Sequence, residues 1–203
     1  MNIYLQGLTM GLAYVAPIGL QNLFVINSAL TQKRSRVYIT ALIVILWDVS
    51  LGVACFLGAG ALMQAVPWLQ KVILGIGSLI VIYIGVGLLR AKAEEIDRSR
   101  TADSIPKTIS SACVVTWFNP QALIDGTMML GAFYVTLPAA QSTSFISGVA
   151  LASCLWFTGL TLLISLFSDN FTPKTLVVIN KVCGVIIVFY GCKLLYSFLT
   201  MVF

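Results

Sequence analysis

The chain has 203 residues, 59% hydrophobic and only 9% charged, with a mean hydropathy of +0.99. Soluble domains carry about 25% charged residues, so this composition excludes one. Twelve Lys and Arg against seven Asp and Glu leave a net charge of +5. Those charges cluster between apolar runs, which indicates membrane orientation rather than nucleic-acid binding.

Crossing about 30 Å of hydrocarbon takes about 20 apolar helical residues, and six runs are long enough. The first, Ile3 to Leu30, has no charge before Val15. It therefore reads as a retained helix, not a signal peptide with a basic start. It contains Gly7-x-x-x-Gly11, a pattern for close helix contact within the chain or in a homodimer. It also holds Pro17, Gly19, Gln21 and Asn22. Pro removes an amide donor and Gly adds backbone freedom, so a kink or unwinding is expected there.

After the cations Lys33, Arg34 and Arg36, the second run spans Val37 to Leu62 and carries Asp48 beside Trp47. An Asp at a membrane helix centre costs about 2.5–3.5 kcal/mol on insertion scales and marks a cavity, a partner or a relay. The third run, Pro67 to Leu89, opens with Trp68, which reads as an interfacial anchor. The segment from Arg90 to Thr108 is the one long separator. It holds Arg90, Lys92, Arg98, Arg100 and Lys107 among four acids and reads as a solvated cytoplasmic linker.

The fourth run, Ile109 to Val135, has Asn119-Pro120-Gln121 followed by Asp125. A second broken helix is expected at Pro120. The fifth, Phe145 to Phe167, carries Trp156, and the sixth, Thr175 to Met201, carries Lys181 and Lys193. Lys181 reads as a helix-end residue and Lys193 as a snorkelling one, the sharper alternative being a salt bridge to an intramembrane Asp. Five single Cys without paired spacing indicate neither a disulfide framework nor a zinc site and read as small interior residues. No His is present, so proton chemistry falls to carboxylates.

Nine of the twelve cations fall in the first, third and fifth separators and none in the second and fourth, which places the odd loops in the cytoplasm and both termini outside. The halves also repeat weakly. Pro17 precedes Asn22 as Pro120 precedes Asp125, Leu46-Trp47 returns as Leu155-Trp156, and Gly85-x-x-Leu88-Leu89 returns as Gly191-x-x-Leu194-Leu195. The expected fold is an all-α integral membrane protein of six transmembrane helices in two inverted three-helix repeats. Residues 1–90 form the first repeat, 91–108 the charged linker and 109–203 the second. Inverted repeats of this kind recur in secondary transporters, with the site near the midplane.

Freed backbone groups in a membrane are tolerated where protein or a water-filled cavity satisfies them. Gln21, Asn22, Asn119 and Gln121 beside the breaks at Pro17, Gly19 and Pro120 therefore predict a polar pocket. Asp48 or Asp125 would hold a cation there, and broken-helix N–H groups a carboxylate. Trp47, Trp117 and Trp156 lie near these positions.

At these residues the sequence resembles the LysE-type family of amino-acid exporters, in particular its lysine- and arginine-exporting branch, over essentially the whole chain. The family's first-helix pattern Pro-x-Gly-Pro-Gln-Asn appears as Pro17-Ile18-Gly19-Leu20-Gln21-Asn22, with Leu20 in place of the second proline. Its fourth-helix pattern appears as Thr116-Trp117-Phe118-Asn119-Pro120 with Asp125. Asp48, Pro67-Trp68 and Leu155-Trp156-Phe157 are similar to further features of the branch.

The resemblance implies a bacterial inner-membrane exporter of basic amino acids driven by the electrochemical gradient. Neutral-substrate relatives generally lack the Asp after Asn-Pro, so Asp125 favours a cationic substrate. Substrate contacts are expected from Asp48, Asp125, Gln21, Asn22, Asn119 and Trp156, and proton coupling from Asp125 and Asp48. No cofactor and no metal is expected. Export of a neutral amino acid, of a metal or of another cation remains an alternative. An aspartyl intramembrane protease is a remote one, since Trp47-Asp48 and Ile124-Asp125 do not match its Tyr-Asp and Gly-x-Gly-Asp.

Overall fold

The computed structural model describes residues 2–17, 19–58, 66–90, 104–167 and 173–202. Ile18, the turn expected at Met63–Ala65, the charged segment 91–103 and the separator 168–172 lie outside the described residues. Among those described, every regular element is helical.

The first apolar run is two helices, α1 (Ile3–Val15) and α2 (Leu20–Thr31), which meet at 75°. Asn2 caps α1 by accepting from the Tyr4 amide at 3.0 Å. The chain leaves the helix at Ala16, and Gly19 is extended before α2 resumes. The second run is α3 (Arg34–Phe56). It begins among the cations and stops short of the expected Leu62, because Gly58 takes φ 100°, a left-handed conformation suited to glycine. The third is α4 (Pro67–Arg90).

The fourth run is divided more finely than expected. It comprises α5 (Ile105–Trp117), α6 (Pro120–Gly126), a π turn over Thr127–Gly131 and α7 (Ala132–Thr136). Pro120 lacks an amide hydrogen, so the ladder stops before it. Asn119 is extended and caps α6, its Oδ1 accepting from the Ala122 amide at 3.4 Å. The fifth run is α8 (Ala139–Phe167), which starts six residues earlier than its apolar core, and the sixth is α9 (Pro173–Val202).

Three stretches, Arg34–Phe56, Ala139–Phe167 and Gly184–Val202, are long and apolar enough to cross a membrane. The bent pair α1 and α2 passes the same test as one unit. Large apolar side chains including Leu42, Leu46, Tyr83, Leu155, Leu166 and Phe189 face outward, while Asn22, Thr40, Asp48, Thr116, Ser153 and Thr161 are buried. This inversion of the soluble pattern suits a hydrocarbon surround. Cys55 is interior as expected, whereas Cys154 and Cys192 are exposed on outer faces.

Small residues set how the helices meet. A Cβ on Gly7 would collide with the Phe145 carbonyl, one on Gly148 with the Tyr4 carbonyl, and one on Gly11 would lie 2.7 Å from Ala152 Cβ. Helices α1 and α8 thus run parallel in backbone contact. The Gly7-x-x-x-Gly11 face is covered within the chain, so it does not supply a dimer interface.

Helices α4 and α9 cross through Gly75, Gly85, Gly184 and Gly191, whose added Cβ atoms would meet Phe198, Val188, Leu89 and Ile82 respectively. Each step up one helix is matched by a step down the other, so the pair is antiparallel. Asp48 meets Ser153, and one turn on Gly52 faces Val149, so α3 and α8 are antiparallel as well.

Candidate functional site

The two broken runs bring their breaks to one place. Between them lies a cavity of about 260 Å³, walled by Tyr14, Pro17, Gly19, Gln21 and Asn22 on one side and by Asn119, Ala122 and Asp125 on the other. Helix α9 closes it with Ile186, Ile187 and Lys193, and Val81 and Met129 add apolar wall. The Tyr14 hydroxyl donates to the Ala122 carbonyl at 3.4 Å and ties the end of α1 to the first turn of α6.

Asn22 organises the first break. Its Nδ2 donates to the carbonyls of Pro17 at 2.8 Å and Val15 at 3.1 Å, groups left without an i+4 amide where α1 ends. Its Oδ1 accepts from Trp156 Nε1 at 2.7 Å. Asn22 is only 4% exposed, yet its amide is used at both ends.

Asp48 lies one layer deeper, at 1% exposure. Its Oδ1 accepts from Gln21 Nε2 at 3.0 Å and its Oδ2 from the Ser153 hydroxyl at 2.6 Å. Gln21 also donates to Thr116 Oγ1 at 2.9 Å, so α2, α3, α5 and α8 converge on one polar cluster. Buried polar groups in low dielectric are costly unless paired, and pairing fixes the helices relative to one another. Nearby, Trp117 Nε1 donates to Ser50 Oγ at 3.1 Å.

Four of the sequence-selected contact residues, Gln21, Asn22, Asn119 and Asp125, line the cavity, together with Pro17 and Gly19. Pro120 opens α6, the helix that carries Ala122 and Asp125. Asp48 and Trp156 are not among the lining residues. Asp48 stands behind Gln21 and Trp156 behind Asn22, each one hydrogen bond from the wall.

Sequence reasoning passed over Ser153 and Tyr14, and named Thr116 only within the fourth-helix pattern, with no role of its own. Ser153 sits three residues before Trp156 on one face of α8, the signal that would have paired it with the site. Lys193, read as snorkelling, is exposed and also lines the cavity that Asp125 lines. Its spacing of seven from Ile186 puts the two on one helix face. Among the described residues no cluster of three or more Cys, Asp or Glu converges to hold a metal ion.

The family model for the LysE type translocator matches residues 12–198. The chain is 30% identical to the arginine exporter protein ArgO of Enterobacter sp. (strain 638), over 96% of this chain and 93% of that one. It is 31% identical to the proteins of the same name in Klebsiella pneumoniae (strain 342) and Escherichia coli (strain K12), in each case over 94% of this chain and 92% of the other. No solved structure matches it. A family match over most of its length, full-length bacterial relatives and long apolar helices give one conclusion: the chain belongs to the LysE type translocator family and is a multi-pass protein of the bacterial inner membrane.

Proposed function

We propose that this protein is a secondary exporter of basic L-amino acids, arginine or lysine, that moves its substrate outward in exchange for protons. The observation that carries this reading is Asp125, the one acid among the described residues that line a cavity walled also by amides, a tyrosine, apolar groups and Lys193, at the junction of two broken helices. A guanidinium or ammonium pairs with the Asp125 carboxylate, and Gln21, Asn22 and Asn119 supply hydrogen bonds around it. The relatives at 30–31% identity are named arginine exporters, and this chain has an acid at the cavity that suits such a cation.

Asp48 serves as the buried partner that sets Gln21, and Trp156 as the one that sets Asn22. Protonation of Asp48 converts an acceptor oxygen into a hydroxyl and so changes what Gln21 presents to the cavity. Protonation of Asp125 removes the charge that holds the substrate cation. Binding in the cytoplasm-facing state and release after proton entry from outside would then alternate around one site.

The scaffold reading is six membrane elements in two inverted repeats, residues 1–90 and 109–203, joined by a charged cytoplasmic linker over 91–108. The α1–α2 pair and the α5–α7 segment are corresponding broken elements, α3 corresponds to α8, and α4 to α9. In support, the corresponding pairs α3 with α8 and α4 with α9 are antiparallel. Moreover, Gly85 meets Val188 just as Gly191 meets Ile82, and these two contacts exchange when the repeats are exchanged.

The test is exchange in proteoliposomes, with unlabelled arginine, lysine or alanine inside and labelled arginine outside. Saturable exchange with arginine or lysine and not alanine is expected. Equal exchange with alanine would assign a neutral substrate, and no amino-acid flux in folded protein would return the cation reading.

A further inference from the structure

The cavity has a second charged residue that the mechanism above leaves unused. Lys193, an exposed residue, lines the same cavity as Asp125 but from a different helix, α9. It is carried by α9, a helix of 30 residues, and lies nine residues before the helix end at Val202. At 1.5 Å per residue that is about 14 Å of helix, too deep for a lysine side chain to serve only the nearer helix end. Its face is set by Ile186 and Ile187, which also line the cavity, while Gly184, Val188 and Gly191 pack against α4. Charged residues at this depth face cavities and partners, not lipid.

We propose that Lys193 recognises the substrate's α-carboxylate, making it a specificity-determining residue that works with Asp125 to select a zwitterion with a cationic side chain. The inference rests on the basic-amino-acid reading and deepens it. A cavity with one acid and one base complements a molecule bearing a cation at one end and a carboxylate at the other. Asp125 alone would accept any organic cation of the right size, including one with no carboxylate. With Lys193 in the same cavity, a diamine brings a second positive charge toward an ammonium, and discrimination arises from repulsion as well as attraction. Lysine's ammonium is a compact point charge with three donors and suits a carboxylate approached through the polar wall.

The experiment compares labelled L-arginine with agmatine, its decarboxylated counterpart, as inhibitor of arginine exchange in proteoliposomes. In the wild type the inhibition constant of agmatine should exceed the KM for arginine by at least tenfold. In Lys193→Met the KM for arginine should rise about tenfold, while the agmatine constant stays the same or falls, so the ratio collapses. Lys193→Arg should restore discrimination, and Lys193→Gln should behave as Met does and serves if the Met variant does not fold. A loss shared equally by arginine and agmatine, or no change in either, overturns the inference and leaves Lys193 a charge-balancing residue. Failure of the underlying exporter reading shows separately, as absence of arginine exchange in the wild type.

Discussion

The carboxylate of Asp48 is linked to the cavity wall through Gln21, whose Nε2 donates to Oδ1 at 3.0 Å. The same amide donates to Thr116 Oγ1 at 2.9 Å, so both of its hydrogens are committed and its orientation is fixed. Ser153 fixes the other carboxylate oxygen at 2.6 Å. An acid that does not line the cavity therefore still decides what the cavity presents.

Asp48→Asn keeps the shape but removes the charge and turns one of the two acceptor oxygens into a donor group, set against the donor of either Gln21 or Ser153. Hydrogen bonds to charged groups contribute about 1.5–3 kcal/mol, so transport should fall about 10- to 100-fold. Initial rates of arginine exchange, with thermal unfolding in detergent as a folding control, check this. Gln21→Ala should lower the rate in the same direction.

Trp156 and Asn22 form one unit at 2.7 Å. Trp156→Phe retains the ring and removes the donor, and Asn22→Ala removes both the acceptor and the groups that satisfy the Val15 and Pro17 carbonyls. Each should destabilise by about 1–3 kcal/mol. The double variant should cost less than the sum by about 1 kcal/mol, because the shared bond is lost once. Unfolding equilibria in mixed micelles measure the cycle.

Glycine positions separate contact from open surface. Gly148→Val drives a side chain into the α1 backbone at Tyr4 and Leu8, where flexible side chains cannot give way. A loss of at least the 1–3 kcal/mol typical of overpacking is expected. Gly87 and Gly159 have nothing near the position of a Cβ, so Gly159→Ala should be neutral or stabilising by about 0.5–1 kcal/mol. Thermal unfolding of the purified variants distinguishes them.

The inverted arrangement predicts that α3 and α8 enter the membrane from opposite sides. In a variant with the native cysteines replaced, Ser35→Cys should resist a membrane-impermeant thiol reagent in intact cells and react after permeabilisation. Gln141→Cys should react in intact cells. Both positions are exposed ends of their helices. Labelling of both from one side would contradict the repeat.

Much of this was legible in the residues themselves. A proline in a membrane helix removes a donor whatever surrounds it, so the breaks at Pro17 and Pro120 follow from local chemistry. Gly7 and Gly11 announce a close contact, but the partner, Phe145 to Ala152, depends on how distant helices dock. Helix ends were less legible. Hydropathy marks membrane depth, whereas α3 and α8 continue into polar residues at Arg34 and Gln141. Asp48 was legible as important but not as recessed, because its Ser153 partner is set by the antiparallel register of α3 and α8. Lys193 was legible in depth and not in direction, since its face is fixed by the glycines that lock α9 onto α4.

The central claim is that Asp125 holds the substrate cation in the cavity between the two breaks. Its most direct test is efflux of labelled arginine from preloaded proteoliposomes, wild type beside Asp125→Asn, with the proton gradient varied and alanine as control. The account predicts saturable, gradient-sensitive efflux of arginine and little of alanine, with Asp125→Asn at least 100-fold slower in arginine efflux while still folded. Arginine efflux by Asp125→Asn at the wild-type rate and with the wild-type gradient dependence would contradict it.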